Sequence, residues 1–139
     1  MILAVCVDNG GGMTFGNRRQ SRDIVVCRDL IDVCKGNKLY IDEYSERIFT
    51  EVEDSVDVIN VVTSLLDVDC GDNDCIFVEN EQPSLFADKV SKIIVYKWNR
   101  DYPYDMQFDI DMTEWKLMSM TEFPGKSHER ITREVYVRA

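Results

Sequence analysis

The chain has 139 residues, of which 45% are hydrophobic and 30% are charged, and its 26 acidic against 16 basic residues give a formal net charge of −10. This composition is typical of a soluble globular α/β protein, and the length suits one domain over residues 1–139. The acidic balance argues against nucleic-acid binding through a basic face and against binding to an anionic membrane surface. No apolar run approaches the ~20 residues of a membrane span, and the start MILAVCVDNG has no basic leader, so we expect a cytoplasmic protein.

The hydrophobic pattern predicts alternating strands and helices in the first two thirds of the chain. A strand over residues 2–7 stops at the Gly-rich segment 8–12, and a loop then leads through Asn17 to a helix that Ser21 caps and that runs to about Lys35. The next predicted elements are a strand at 38–41, helical turns at 42–48, an acidic exposed stretch at 50–57, a strand at 58–62, a short helix at 64–69, a buried strand at 75–78 and a short helix at 83–90.

The last third of the chain is predicted to be mostly strand. Residues 92–98 form the clearest strand, a loop with Pro103 follows, and residues 115–120 and 131–138 alternate as two paired antiparallel strands. This order of elements predicts an α/β fold. We expect a mixed, mostly parallel sheet flanked by helices on both faces, with a C-terminal antiparallel strand pair.

Cysteine and histidine content limits the possible chemistry. The five cysteines are an odd number without a CxxC pair, so we predict buried free thiols and no disulfide framework. The only histidine is His128, which excludes metal-dependent hydrolysis built on several histidines, and we predict no metal site. The acidic segment 67–74 fails the EF-hand spacing and is interpreted as a solvated turn.

Four segments carry candidate binding chemistry. The glycines of residues 8–16 follow a strand, but their spacing does not match a dinucleotide-binding turn, and a flexible loop is the alternative. Arg18, Arg19 and Arg22 lie near a helix N-terminus, where they can hold a carboxylate or phosphate or pair with local acids.

The other two segments are an acid and an aromatic run. Asp23 is either an acid that suits the helix dipole or, if it is buried in a cleft, a group for proton transfer. Residues 97–105 combine Trp, Tyr and Arg side chains, which suits either a protein-binding edge or a packed loop.

The segments between residues 75 and 138 resemble the second half of dihydrofolate reductase. In order they read CIFVEN, PSLFADKV, SKIIVYKWN, YDMQFD, EWKLMSMTEF and ITREVYVR. Asp105 and Phe108 match an Asp and a Phe that follow the family's long strand, with Asp109 in the place of its Pro. The opening ILAVCVDNGGGM resembles the family's first strand and mobile loop, with Asn17 matching a loop Asn. The resemblance implies a dihydrofolate reductase-like fold over most of the chain, with Asp23 as the candidate substrate-binding acid.

The cofactor motifs of that family are replaced in this sequence. The family's double glycine, which lets the cofactor pyrophosphate approach the backbone, is here Glu79-Asn80. Its phosphate-binding Gly-Arg-x-Thr aligns with residues 42–45, so Glu43 replaces the Arg and only Ser45 survives. Acids where phosphates would lie oppose NADPH binding, and we therefore predict no cofactor. The family's Trp-x-Leu-Pro segment is also replaced, and one strand is shortened around residues 50–57.

The leading interpretation is a divergent dihydrofolate reductase-like domain without NADPH-dependent reductase activity. It would bind an unidentified small ligand or a protein partner through the former active-site cleft, and Asp23 should be partly buried and face the Gly-rich loop. The candidate catalytic residue is Asp23, and the candidate ligand-binding residues are Arg18, Arg19, Arg22, Tyr44, Ser45, Glu79 and Asn80.

Two other functions stay open at the level of sequence. One is an atypical reductase for a pterin or other heterocycle, in which Asp23 is the acid and Ser45 with residues 10–12 contacts a cofactor. The other is a non-catalytic interaction module that uses residues 96–104. The VEN and KWNR segments also resemble short clostridial proteins labelled ribonuclease Z, an enzyme that needs a histidine-rich two-metal site, and a chain with one His gives that activity no support.

Overall fold

The computed structural model describes residues 1–52 and 57–139. Its strands are Ile2–Val7 (β1), Gly12–Phe15 (β2), Arg18–Arg19 (β3), Leu39–Asp42 (β4), Ile59–Val62 (β5), Cys75–Phe77 (β6), Lys92–Lys97 (β7), Met106–Gln107 (β8), Trp115–Phe123 (β9) and Ile131–Arg138 (β10). The α-helices are Ile24–Val33 (α1) and Glu43–Phe49 (α2), and short 3-10 helices lie at Leu65–Asp67, Pro83–Lys89 and Met112–Glu114. Residues 53–56 of the acidic stretch predicted at 50–57, where the shortened strand was expected, lie outside the described residues.

Seven of these strands form one mixed sheet in the order β5-β4-β6-β1-β7-β10-β9. The strands from β5 to β7 pair in parallel, and β10 pairs antiparallel with both β7 and β9. The predicted mixed, mostly parallel sheet with a C-terminal antiparallel pair is therefore confirmed. It follows from the apolar runs of β1, β6 and β7, since strands covered on both faces need apolar side chains on both.

The two faces of the sheet are covered by different elements. The connections from β1 to β4 and from β4 to β5 run toward the same edge, so right-handed crossovers place α1 and α2 on one face. Their buried side chains include Leu30 and Phe49, which pack in one core cluster with Phe77. The other face carries a second cluster, in which Leu65 and Phe86 come from the 3-10 helices. The short helices predicted at 64–69 and 83–90 are therefore 3-10 helices. None of the helices in the described part of the chain is long and apolar enough to cross a membrane.

The prediction of a loop between β1 and α1 is wrong, because this segment contains β2 and β3, which form a small second sheet with β8 in the order β3-β2-β8. Gly16 and Asn17 join β2 to β3 with φ angles of 59° and 63°. Two consecutive left-handed residues are what a tight two-residue hairpin turn requires. Strands this short carry too few residues for a periodic pattern, which is why the sequence did not reveal them.

Gly12 begins β2 and lies directly under the ring of Tyr104. A Cβ atom added at Gly12 would lie 2.4 Å from Tyr104 Cγ, which is closer than any real contact. We expect Gly12→Ala to displace the Tyr104 ring and to lower the free energy of unfolding by about 1–3 kcal/mol, measured by urea denaturation. Gly71→Ala is the control, because its methyl would meet only the flexible side-chain atom Asp74 Oδ2, at 3.3 Å. Equal stabilities of the two variants would contradict this packing.

Candidate functional site

The candidate site residues lie beyond the carboxyl ends of the parallel strands, where open α/β sheets bind ligands. They form two neighbouring groups. The first, here called the Arg19–Glu79 cluster, consists of Arg19, Tyr44, Ser45 and Glu79. The second, the Asp23–His128 cluster, consists of Ser21, Asp23, Ser127 and His128. A narrow cleft bordered by Arg19, Ser21 and Glu79 lies between the two.

In the Arg19–Glu79 cluster the predicted ligand-binding residues bind one another. Arg19 donates from Nε to Glu79 Oε2 at 2.8 Å and from Nη2 to Oε1 at 2.9 Å, a bidentate pair. Ser45 Oγ donates to Glu79 Oε1 at 2.7 Å. The Arg19 guanidinium also lies 4.1 Å from the ring centroid of Tyr44, whose hydroxyl accepts from the Arg19 backbone N–H. The Glu79 side chain is 9% exposed, so these contacts neutralise a nearly buried carboxylate.

The Arg19–Glu79 ion pair shifts the pKa values of Arg19 itself and of two neighbouring thiols. Burial by itself would lower the pKa of Arg19, but the hydrogen bond and the charge of Glu79 outweigh burial and raise it. Burial, together with the charge of Glu79, raises the pKa of the Cys6 thiol and raises that of Cys27 to about 12. Cys27, Cys34 and Cys75 are buried as predicted, whereas Cys6 and Cys70 are only half-buried, and all five cysteines are free. The two thiols next to Glu79 are therefore neutral groups at physiological pH.

The three arginines do not come together as one anion site. Arg18 and Arg22 are exposed, whereas Arg19 is turned inward to Glu79. The alternative interpretation, pairing with acids, describes Arg19 better, but the acid is 60 residues away along the chain and not a local one such as Asp23. Asp29, an acid near these arginines in the sequence, binds Arg133 at 2.7 Å instead.

The residues at the end of β6 do not fit the NADPH that the resemblance implies there. The cleft between Glu79, Ser21 and Trp98 has free space of only about 10 Å³, room for about one water molecule. Asn80 adds a second side chain, and its Oδ1 is buried without a hydrogen-bond donor among the described residues. A dinucleotide would have to displace the Arg19–Glu79 pair and lie against a carboxylate.

Asp23 is buried, but it does not face the Gly-rich loop, and that predicted orientation is wrong. Its carboxylate points to the turn between β9 and β10, where it accepts from the backbone N–H of Lys126 at 3.0 Å and of Ser127 at 2.9 Å. It also accepts from the backbone N–H of Val25 at 3.0 Å, so Asp23 is the N-cap of α1. The prediction that Ser21 caps this helix is therefore wrong. A Cβ atom on Gly125 would lie 2.6 Å from Asp23 Oδ2, so only glycine lets the turn approach this closely.

These contacts set the ionisation of Asp23. Burial by itself would raise its pKa, but the hydrogen bonds from Lys126, His128, Ser127 and Val25 together outweigh burial and hold the pKa of Asp23 well below its usual range. The carboxylate is therefore ionised and fully occupied by protein donors. An acid in this state does not release a proton near neutral pH, so the predicted role as a proton donor does not suit it.

His128 is the residue of this site that the sequence did not reveal. Its ring is 1% exposed and is stacked on Trp98, with centroids 4.5 Å apart. Nδ1 lies 2.9 Å from Asp23 Oδ2, and Nε2 lies 2.9 Å from Ser21 Oγ and 3.3 Å from the Tyr102 hydroxyl. The one available signal was its place in GKSH, a polar turn between two paired strands.

A larger cavity of about 330 Å³ lies between α1, α2 and the β9–β10 turn. Apolar side chains in the lining of this cavity come from Ile24, Cys27 and Ile48. Arg22, Lys126 and Glu51 add charged groups to its lining. Across residues 1–52 and 57–139, no three His, Cys, Asp or Glu side chains are grouped as metal ligands.

The segment 96–104 starts inside the sheet and ends on the surface: Tyr96 and Trp98 are buried, whereas residues 100, 101, 103 and 104 are exposed. β7 lies between β1 and β10. The Tyr96 hydroxyl donates to Asp29 Oδ2 at 2.6 Å. Among the four aromatic residues of this segment, Tyr104 is exposed, at 41%, and Tyr102 is half-buried. The interpretation as a binding edge is therefore wrong for Tyr96 and Trp98, which belong to the core.

Comparison with known proteins identifies the fold. No protein-family model matches the chain, and no curated protein matches it in sequence. Among solved structures, it is similar to dihydrofolate reductase from Enterococcus faecalis complexed with NADP(H) and RAB-propyl, with a TM-score of 0.66 and 10% sequence identity. The match covers 99% of this chain and 96% of that one. With the mixed sheet described above, it shows that the chain has a dihydrofolate reductase-like fold.

Proposed function

We propose that this chain is a dihydrofolate reductase-like domain that does not reduce substrates with NADPH and instead binds a small ligand. The ligand would lie in the 330 Å³ cavity between α1, α2 and the β9–β10 turn. The observation that carries this proposal is the Arg19–Glu79 pair, which fills the space at the end of β6 with a neutralised carboxylate. Bringing a phosphate there would break a bidentate ion pair and leave like charges in contact.

The lining of the cavity supports a ligand with an apolar body and an anionic group. Ile24 and Ile48 offer apolar surface, while Arg22 and Lys126 add two positive charges. Ligand pockets commonly combine apolar walls with a few charged groups that fix orientation. The lining also holds two carboxylates, Asp23 and Glu51, and the charge of Asp23 is already met by the backbone N–H groups of the turn, so an anionic group would bind through Arg22 and Lys126.

Two titrations test the proposal. We expect NADPH and NADH to leave the melting temperature unchanged at low and moderate salt, because the Arg19–Glu79 pair excludes the cofactor. The fluorescent probe 8-anilinonaphthalene-1-sulfonate has an apolar body and a sulfonate. We expect it to bind saturably to the folded protein, with affinity reduced about tenfold in Lys126→Ala by the loss of one charge contact.

Lys35→Ala is the matched control, since Lys35 is exposed and pairs with Asp32 on the surface of the protein. Its affinity for the probe should equal that of the wild type. A salt-insensitive rise in melting temperature with NADPH would overturn the first half of the proposal and favour the atypical reductase. Equal probe affinity in the wild type and Lys126→Ala would overturn the second half.

A further inference from the structure

Ser21, His128 and Asp23 have the mutual geometry of a nucleophilic serine site. Ser21 Oγ lies 2.9 Å from His128 Nε2, and His128 Nδ1 lies 2.9 Å from Asp23 Oδ2. In Ser–His–Asp hydrolases the serine contacts Nε2 and the carboxylate contacts Nδ1, the same assignment of ring nitrogens. We propose that Ser21 accepts a short acyl group from an ester and that the chain hydrolyses such esters, an activity its fold does not imply.

Asp23 and Trp98 hold the imidazole for this role. An ionised carboxylate only accepts hydrogen bonds, so Asp23 requires the proton of the neutral ring to sit on Nδ1. That leaves the lone pair of Nε2 directed to Ser21 as the base. The stacked Trp98 ring fixes the plane of the imidazole, and the His128 side chain is 1% exposed. Tyr102 also contacts Nε2, but at 3.3 Å it is the more distant hydroxyl.

Ser21 itself is half-buried and borders the narrow cleft. The free space beside it is about 10 Å³, room for about one water molecule, so we expect the smallest acyl groups to react fastest. Within the described residues, the backbone N–H of Arg22 donates to no acceptor. The N–H of the residue after the nucleophile is one of the usual donors to the oxyanion that forms during acyl transfer.

Besides the ester, the reaction needs only water. Ser21 Oγ forms a bond to the acyl carbon while its proton passes to His128 Nε2, and the bond from that carbon to the leaving oxygen breaks. The leaving oxygen takes the proton from Nε2. Water then attacks the acyl carbon, gives its proton to Nε2, and Ser21 leaves with that proton as a hydroxyl. Asp23 remains ionised throughout and acts by positioning the ring.

The experiment is covalent labelling followed by peptide mass spectrometry. Wild-type protein is incubated with p-nitrophenyl acetate or a small alkyl fluorophosphonate, and the modified residue is identified. We expect the label on Ser21, release of p-nitrophenol that Ser21→Ala lacks, and labelling slowed by about 10³-fold in His128→Asn. Ser119→Ala, in the exposed strand β9, should react as the wild type does.

Identifying the labelled residue in the wild-type protein tests the proposal even if His128→Asn fails to fold. Label on Ser21 supports the proposal, and so does faster reaction of the acetate than of the butyrate ester. Label on Ser127 or on lysines, no label at all, or equal ester hydrolysis by wild type and Ser21→Ala would overturn it. These outcomes are independent of NADPH and of the 330 Å³ cavity, so they leave the proposed ligand-binding function untouched.

Discussion

Replacing Asp23 with Asn is expected to lower the free energy of unfolding by about 3 kcal/mol, because it removes a buried carboxylate that protein donors surround. The Asp23 side chain is 0% exposed and accepts backbone hydrogen bonds from Val25, Lys126 and Ser127. An Asn side chain keeps one acceptor oxygen but turns an N–H group toward the donors on the other side. Urea denaturation at neutral pH measures the loss.

Asp42→Asn provides the matched comparison. Asp42 is the N-cap of α2 and accepts from the backbone N–H of Ser45 at 2.9 Å, a role that Asn fills equally well. Its effect should stay within about 0.5 kcal/mol. If Asp23→Asn were as mild as Asp42→Asn, the β9–β10 turn would not depend on the Asp23 carboxylate.

The pH dependence of stability gives a second readout of Asp23. Its pKa is lower in the folded protein than the value of about 3.9 expected for an unfolded chain. Around and below that pH the unfolded state binds more protons, so the stabilisation is complete above about pH 4 and is lost as the pH falls toward the folded pKa. Asp23→Asn should flatten this acid limb of the stability profile. An unchanged limb would show that other carboxylates produce it.

Breaking the Arg19–Glu79 pair is expected to have the second large effect. Glu79→Gln leaves the Arg19 guanidinium, which is 18% exposed, without its bidentate partner and should cost about 3 kcal/mol. Arg19→Met leaves the Glu79 carboxylate uncompensated and should cost a similar amount. The double variant removes both charges and should cost clearly less than the sum, with a coupling energy of about 2 kcal/mol in a double-mutant cycle.

The pair Arg130–Glu122 is the control for this cycle. Its Nε–Oε1 distance is 3.9 Å and its side chains are 61% and 46% exposed. Solvent screens such a contact, so its coupling energy should be below about 0.5 kcal/mol. Equal coupling in the two cycles would mean that Arg19 and Glu79 are solvated in solution, and the pair would then not exclude NADPH.

The local sequence was sufficient to predict the main strands of the sheet. The runs that became β1, β6, β7 and β10 are rich in Val, Ile and Tyr, and strands covered on both faces leave that signature whatever surrounds them. The sequence also showed that Glu79 and Asn80 stand where dihydrofolate reductases have two glycines. A side chain at a position that requires bare backbone argues against a cofactor from residue identity alone.

The identity of the contacts, in contrast, was decided by the tertiary structure. Asp23 and His128 are 105 residues apart, and Arg19 and Glu79 are 60 apart. Periodicity reports which face of an element is apolar, but it carries no record of which polar groups meet when the elements pack. The sequence by itself therefore determined the mixed α/β sheet and the presence of Glu79 and Asn80 at the end of β6, on which the proposed loss of cofactor binding rests. Only the packed structure determined that Arg19 closes over Glu79 and that Asp23 turns to His128, because a buried charge takes whichever partner the folded chain brings within reach.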